Sequence, residues 1–233
     1  MKQIIVCDFD DVNIASREIE ILKNIKEHIS NFRCSIFTTP MHPWLLEDEK
    51  RFENYLDWVD ALKELDWLEI CPHGFFHDTA EMMVNYETAK AIFLSIEKAF
   101  THFKVKRKRK IFGIKWVHYY PKIKFAKIFK APKWQMSKEA YEAARDLGYV
   151  VAIDRNQPTP QIKDLKTYKY NWSIEEPFPM EYKIIKGHGH IRGMPNDISL
   201  NYLKLINDLP QNGQFMTIGE FLNYEQQSKK ITR

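Results

Sequence analysis

Short apolar runs alternate along this chain with longer amphipathic stretches, and that alternation constrains the fold more than any other feature. Segments 3–8, 34–39, 67–72, 126–130, 149–154, 166–172, 182–187 and 214–217 read as strands. Between them, 16–31 carries Ile19, Leu22, Ile25 and Ile29 at helical spacing, and 51–65, 86–103, 137–147, 197–209 and 218–224 read as further helices. Ser137 is placed to cap its helix and Gly148 to end it, while Pro40 and Pro43 close the second strand in a turn. Repeated strand–helix units of this length imply a parallel α/β sheet, either closed into a barrel or open and doubly wound. In both forms a binding site forms at the carboxyl ends of the strands.

The 233 residues are enough for one large domain, and no composition shift divides them. We expect a single catalytic domain over 1–224, with a basic insertion at about 104–124 and a polar, fraying tail at 225–233. With 44% hydrophobic and 14% aromatic residues the chain can close a core, which excludes global disorder. The apolar run 4–7 is too short for a signal-peptide core, and no run reaches the length of a membrane span. Cys7, Cys34 and Cys71 lie singly inside strand-like runs without C-x-x-C spacing, so they read as core thiols of a cytoplasmic protein.

Charge is unevenly spread. Between Lys104 and Lys133 there are twelve Lys or Arg and no acid, leaving 23 basic against 31 acidic residues elsewhere. The stretch KVKRKRK followed by Trp116, Tyr119 and Tyr120 reads first as a solvated inserted loop. Its functional reading is attraction of an anionic ligand, such as a phosphate-bearing glycan or lipid headgroup, ahead of nucleic acid.

Polar chemistry gathers at the strand ends. Asp8, Asp10 and Asp11 follow the first strand, a crowding of carboxylates that needs a cation or proton nearby. CPHGFFH ends the third strand. Its His73 and His77, four residues apart, face one point if the segment turns helically, a spacing that suits a metal ion. That run lacks the Glu of H-E-x-x-H proteases, so a base must come from the carboxylates after strand one. Lys130, Pro132 and Trp134 end a further strand in IFKAPKW, and His188 and His190 end a late one in IIKGHGH.

In order, DFDD, HGFFH, FKAPKW and the late histidine make the chain resemble the polysaccharide deacetylase (NodB-homology, carbohydrate esterase 4-like) superfamily over roughly residues 3–222. The resemblance implies a distorted (β/α)7 barrel and hydrolysis of an N-acetylated sugar or related amide or ester. It implies a divalent metal, Zn²⁺ foremost, held by Asp11, His73 and His77, with Asp10 as base and His188, or His190 in a shifted register, as acid. Lys130 stands where the family's Arg orients the base, within Lys130-Ala131-Pro132. Trp134, Pro132, His190 and Asp154 would then contact the substrate. Gly74 replaces the family's Ser or Thr, and its Asp-Trp motif has no clear counterpart beyond Asp154. Two rival readings remain. Asp8 and Asp10, with Thr38 or Thr39, resemble the opening motifs of a Mg²⁺-dependent haloacid-dehalogenase-like phosphatase, in which Asp8→Asn would be disabling but would largely spare a deacetylase. The basic segment alone suits a non-catalytic glycan- or polyanion-binding module.

Overall fold

A computed structural model describes residues 2–12, 18–40, 61–62, 64–102, 109–111, 114–116, 123–190 and 198–231. Its hub is β1 (Ile4–Asp10), buried along its whole length. On one edge β1 pairs in parallel with β10 (Ile184–His190). Its other edge is shared by β11 (Gln214–Met216) at the start and β2 (Cys34–Thr38) further along, both parallel. Beyond β2 lies β3 (Leu68–Pro72), and beyond β10 lies β9 (Trp172–Ser173). A second parallel sheet holds β6 (Ile128–Lys130), β7 (Val150–Ile153) and β8 (Lys166–Lys169). In the basic segment β4 (Arg109–Ile111) and β5 (Ile114–Trp116) form an antiparallel hairpin, and the rest of that segment up to residue 122 lies outside the described residues.

The two parallel sheets touch at both margins. The Ala126 N–H donates to the Ile70 carbonyl at 2.8 Å, and β8 runs through Tyr170 and Asn171 directly into β9. The parallel α/β architecture read from the sequence is therefore present.

Strand alternation decides what each face carries. Ile5, Cys7 and Phe9 of β1 join Cys34, Ile36, Phe129, Val151 and Ile185 in the larger core. That core takes Leu22 and Ile25 of α1 (Glu18–His28), Phe93 and Ile96 of α2 (Tyr86–His102), Ala140 and Ala144 of α3 (Lys138–Asp146) and Leu205 of α4 (Ile198–Asp208). The other face of the strands begins apolar. Ile4, Val6, Phe37, Cys71, Ile128, Ala152 and Tyr168 form a second cluster with Ile218 and Phe221 of α5 (Ile218–Ile231). Continuing along that same alternation, β1 turns to Asp8 and Asp10 and β6 to Lys130. The sequence thus lays an apolar floor under a charged upper layer.

Ser137 caps α3 as expected, its Oγ accepting from the Ala140 N–H at 3.0 Å, and Gly148 takes the left-handed conformation (φ 77°) after the helix. The three cysteines are buried and unpaired. Two boundaries differ from expectation. β1 and β10 extend to Asp10 and His190, because the polar side chains find partners inside the fold instead of in a solvated loop. Residues 225–231, expected to fray, continue α5 as a regular helix. The helix expected at 51–65 falls almost entirely outside the described residues, of which 61–62 are helical.

Candidate active site

In-register pairing of β1 and β10 sets Asp8 beside His188 and Asp10 beside His190. The strand end of β6 brings Lys130 under both acids. Its ammonium is 1% exposed and lies 2.5 Å from Asp8 Oδ1, 2.7 Å from Asp10 Oδ1 and 3.1 Å from His188 Nδ1. The rings of Phe37 (3.9 Å) and Trp134 (4.7 Å) flank it. Burial opposes the Lys130 charge, but the carboxylates of Asp10 and Asp8 overcome it and hold the ammonium above its ordinary range. Burial likewise opposes ionisation of Asp10. The charges of Lys130, His188 and His73 prevail and keep its carboxyl well below the usual range.

Asp10 therefore presents one engaged oxygen and one turned into the site. Its Oδ2 lies 3.8 Å from His73 Nε2 and 3.8 Å from His188 Nε2. His188 Nδ1 is 2.8 Å from Asp8 Oδ1, so the carboxylate orients the ring with Nε2 facing the site.

Asp11, His73 and His77 converge beside this pair. His77 Nε2 is 2.9 Å and His73 Nε2 3.7 Å from Asp11 Oδ1, and one donor atom from each residue lies within 4.8 Å of the others. The segment between the histidines is not a helical turn. It is a loop in which Gly74 (φ 74°) and His77 (φ 65°) both take the left-handed region, as does Asp11 (φ 62°). Two non-glycine residues held there at neighbouring strand ends mark backbone strain maintained for a site. Glu81 supports the loop by accepting from the Phe75 N–H at 2.5 Å. His73 Nδ1 lies 2.9 Å from the Lys130 carbonyl, which can only accept, so Nδ1–H donates to it and the Nε2 lone pair is left for a metal. Burial opposes ionisation of Asp11, and the hydrogen bond from His77 brings it below the ordinary carboxylate range. The donor set, one carboxylate and two imidazole Nε2 atoms beside the Asp10 carboxylate, fits a divalent transition metal such as zinc.

The remaining expected residues differ in how near they lie. Trp134 stands edge-on to His188 with ring centroids 5.0 Å apart. Pro132 is buried, packed where a side chain at Gly74 would point. His190 is partly exposed, with Nδ1 3.6 Å from Glu175 Oε1. Asp154 stands apart from the metal ligands, accepting from the Tyr170 hydroxyl at 2.7 Å and the Asn156 N–H at 2.6 Å. Sequence reasoning gave Asp8 a role only as a phosphatase nucleophile. It is 1% exposed and its Oδ1 is held by Lys130 and His188, a buried position that gives the nucleophile reading no support. Asp8→Asn is thus no neutral change in a deacetylase either, a correction to the expectation above. The signal was present: Asp8 and Asp10 share a strand face. Glu81 and Glu175 carried no such signal, since loop geometry alone brings them in.

No protein-family model matches this chain, and no curated protein matches its sequence. Solved structures do match. The peptidoglycan deacetylase PdaC from Bacillus subtilis superposes with TM-score 0.56 at 12% identity, over 98% of this chain and 94% of that one. A CE4-family pseudoenzyme from Bacillus anthracis matches with TM-score 0.52 and 12% identity over 94% of this chain. A 4-alpha-glucanotransferase from Thermococcus litoralis matches with TM-score 0.55 and 13% identity over 96% of this chain. This chain spans 65% of the pseudoenzyme and 40% of the glucanotransferase. The chain has the fold of the CE4 deacetylases. That fold also carries a transferase and a pseudoenzyme, so the reaction must be argued from the site.

Proposed function

We propose that this chain is a divalent-metal hydrolase of the deacetylase type, acting on an N-acetylated sugar or a related amide or ester. The observation that carries the reading is the placement of Asp10. It is ionised and clamped by Lys130, yet stands 3.8 Å from the nearest nitrogen of the Asp11–His73–His77 group. Asp11, His73 and His77 would hold the ion, with Zn²⁺ the best match to two imidazoles and a carboxylate. Such an ion acidifies a bound water and polarises an acyl carbonyl.

Asp10 Oδ2 faces the same space with no competing hydrogen bond to the ammonium, so it is the oxygen that accepts the water proton. Lys130 keeps that carboxylate ionised as a point charge between two aromatic rings, a different device from the bidentate fork of Arg. His188, oriented by Asp8, presents Nε2 on the opposite side of Asp10 and donates to the leaving amine. Trp134, beside His188, offers an edge for a sugar ring, with His190, Asp154 and Pro132 at or behind the rim. The basic residues between Lys104 and Lys133 would draw in an anionic glycan.

We further propose that residues 1–224 form one distorted seven-stranded barrel, with the link from β8 into β9 at one margin and the Ala126–Ile70 hydrogen bond at the other. The deacetylase PdaC lends the reading support through its fold, and the pseudoenzyme relative makes direct measurement necessary. The decisive experiment is metal analysis with a screen of N-acetylated sugars in added Zn²⁺. Asp11→Ala and His77→Ala should each lose the ion. Asp10→Asn should keep it and lose the activity. Retention of the ion in both ligand variants would sink the assignment.

A further inference from the structure

Across Asp10 from the first donor group lies another. Asp10, His188 and His190 each offer one donor atom, all within 4.8 Å of one another. Their convergence follows from sheet register. Asp10 pairs with His190 across β1 and β10, and His188 is one strand alternation earlier on the same face.

Three details give this group the character of a cation site. His188 is 3% exposed, and its Nε2 has no hydrogen-bond partner among the described residues. A buried polar nitrogen left unmatched is costly, and a bound cation would satisfy it through its lone pair. The other nitrogen, Nδ1, lies 2.8 Å from Asp8 Oδ1, the carboxylate–imidazole arrangement that orients metal-binding histidines. His190 has a looser counterpart, with Glu175 Oε1 at ion-pair distance, 3.6 Å from Nδ1. Asp10 Oδ2 is 3.8 Å from His188 Nε2, and tetrahedral zinc sites set donor atoms ~3.3 Å apart, so a shift of about half an ångström closes the pair.

We infer that Asp10, His188 and His190 form a second divalent-cation site, weaker than the first and filled when metal is in excess. It is weaker because the Lys130 ammonium lies 2.7 Å from Asp10 Oδ1 and 3.1 Å from His188 Nδ1, opposing a second positive charge. Two imidazoles among three donors select zinc-like ions over Mg²⁺ or Ca²⁺. Resting on the proposed function, occupancy of this site has a regulatory consequence. It ties up the base and the acid together, so excess metal inhibits the hydrolase.

Equilibrium dialysis of the full chain against Zn²⁺, from sub-stoichiometric to several-fold excess, with elemental analysis of the protein, tests this. Wild type should take up two ions, the second bound at least ~10-fold more weakly than the first. His190→Gln, a change at a partly exposed side chain, should weaken the second ion at least ~10-fold and leave the first in place. Glu175→Gln should weaken the second ion alone by about 10–100-fold, through the orientation of His190. Wild type saturating at one ion would overturn the inference, as would an undiminished second ion in His190→Gln. The two readings fail separately. If Asp11→Asn and His77→Gln leave the tight ion in place, the catalytic metal assignment is wrong, whereas the His190 step reports only on the second ion.

Discussion

Replacing Lys130 with Met removes a buried charge while nearly keeping the side chain's volume, so its effect is electrostatic rather than a cavity. The ammonium contacts Asp8 Oδ1 at 2.5 Å and Asp10 Oδ1 at 2.7 Å, with all three side chains at or below 4% exposure. At an effective dielectric of 20, one such contact is worth on the order of 6 kcal/mol gross. Desolvation consumes most of that, and breaking a buried pair from one side costs about 3–5 kcal/mol net. The sign with pH is fixed by Asp10. In the wild type its carboxyl lies below the unfolded value, so its contribution is present above about pH 4 and is lost as pH falls through the folded value. Without Lys130 the largest charge opposing burial is gone and the carboxyl rises relative to the wild type, so protonation at low pH costs the variant's folded state less. Denaturant melts of metal-free protein at pH 7 and pH 5 should therefore give a deficit of about 3–5 kcal/mol that shrinks at the lower pH. Adding Asp8→Asn to Lys130→Met should recover part of the deficit, since one of the stranded carboxylates is gone. A deficit under ~1 kcal/mol, or one equal at both pH values, would refute the buried-network reasoning.

Lys130→Arg installs the Arg of the deacetylase pattern that the sequence resembles but places a larger planar group beside Phe37 and Trp134, and melts should show a loss of about 1–3 kcal/mol instead of a gain. Gly74→Ser likewise installs the residue type of that resembled pattern. A Cβ there would meet Glu81 Oε2 at 2.5 Å and Pro132 Cγ at 2.8 Å at φ +74°, so a loss of about 2–4 kcal/mol and weaker metal retention are expected by thermal melts and dialysis. Ser137→Ala removes the α3 cap and the hydroxyl's bond to the Val84 carbonyl, and should cost about 1–2 kcal/mol in urea titration. Cys7, Cys34 and Cys71 are fully buried, and burial pushes each thiol well above its ordinary value. A chromogenic thiol reagent should find none in native protein and all three in urea; rapid native labelling would contradict the core packing.

Most of the strand and helix order was legible because the sequence alternates cleanly between two periods, and the caps at Ser137 and Gly148 are local chemistry. Strand ends were less legible. Asp8, Asp10, His188 and His190 look like loop residues by polarity, and only their partners across β1, β6 and β10 keep them within strands. Periodicity carries no information about such partners. The convergence of His73 and His77 was readable from spacing, but not its cause, since a helical turn was expected and a loop with left-handed Gly74 and His77 delivers it. Helix α5 outruns its sequence signal for a related reason. Residues 225–231 have little apolar patterning to announce a helix, yet the regular backbone continues to Ile231.

Gly74 and Lys130, the two positions that depart from the deacetylase pattern the sequence resembles, meet in space. The space a side chain at Gly74 would need is filled by Pro132, two residues beyond Lys130. Pro132 begins a short 3-10 turn, Pro132–Trp134, whose Lys133 (φ 48°) and Trp134 (φ 60°) are both left-handed. Trp134 of that turn lies over the Lys130 ammonium at 4.7 Å, and Phe37 lies 3.9 Å from the same nitrogen. A compact ammonium fits between two ring faces and still reaches Asp8, Asp10 and His188 Nδ1, three groups around a single nitrogen. A guanidinium would spread its donors in a plane and suit one carboxylate met bidentately. The second carboxylate, Asp8, is what the point charge makes room for, and Asp8 in turn orients His188. Gly74 and Lys130 thus meet, through Pro132 and Trp134, at one buried network of Asp8, Asp10, Lys130 and His188.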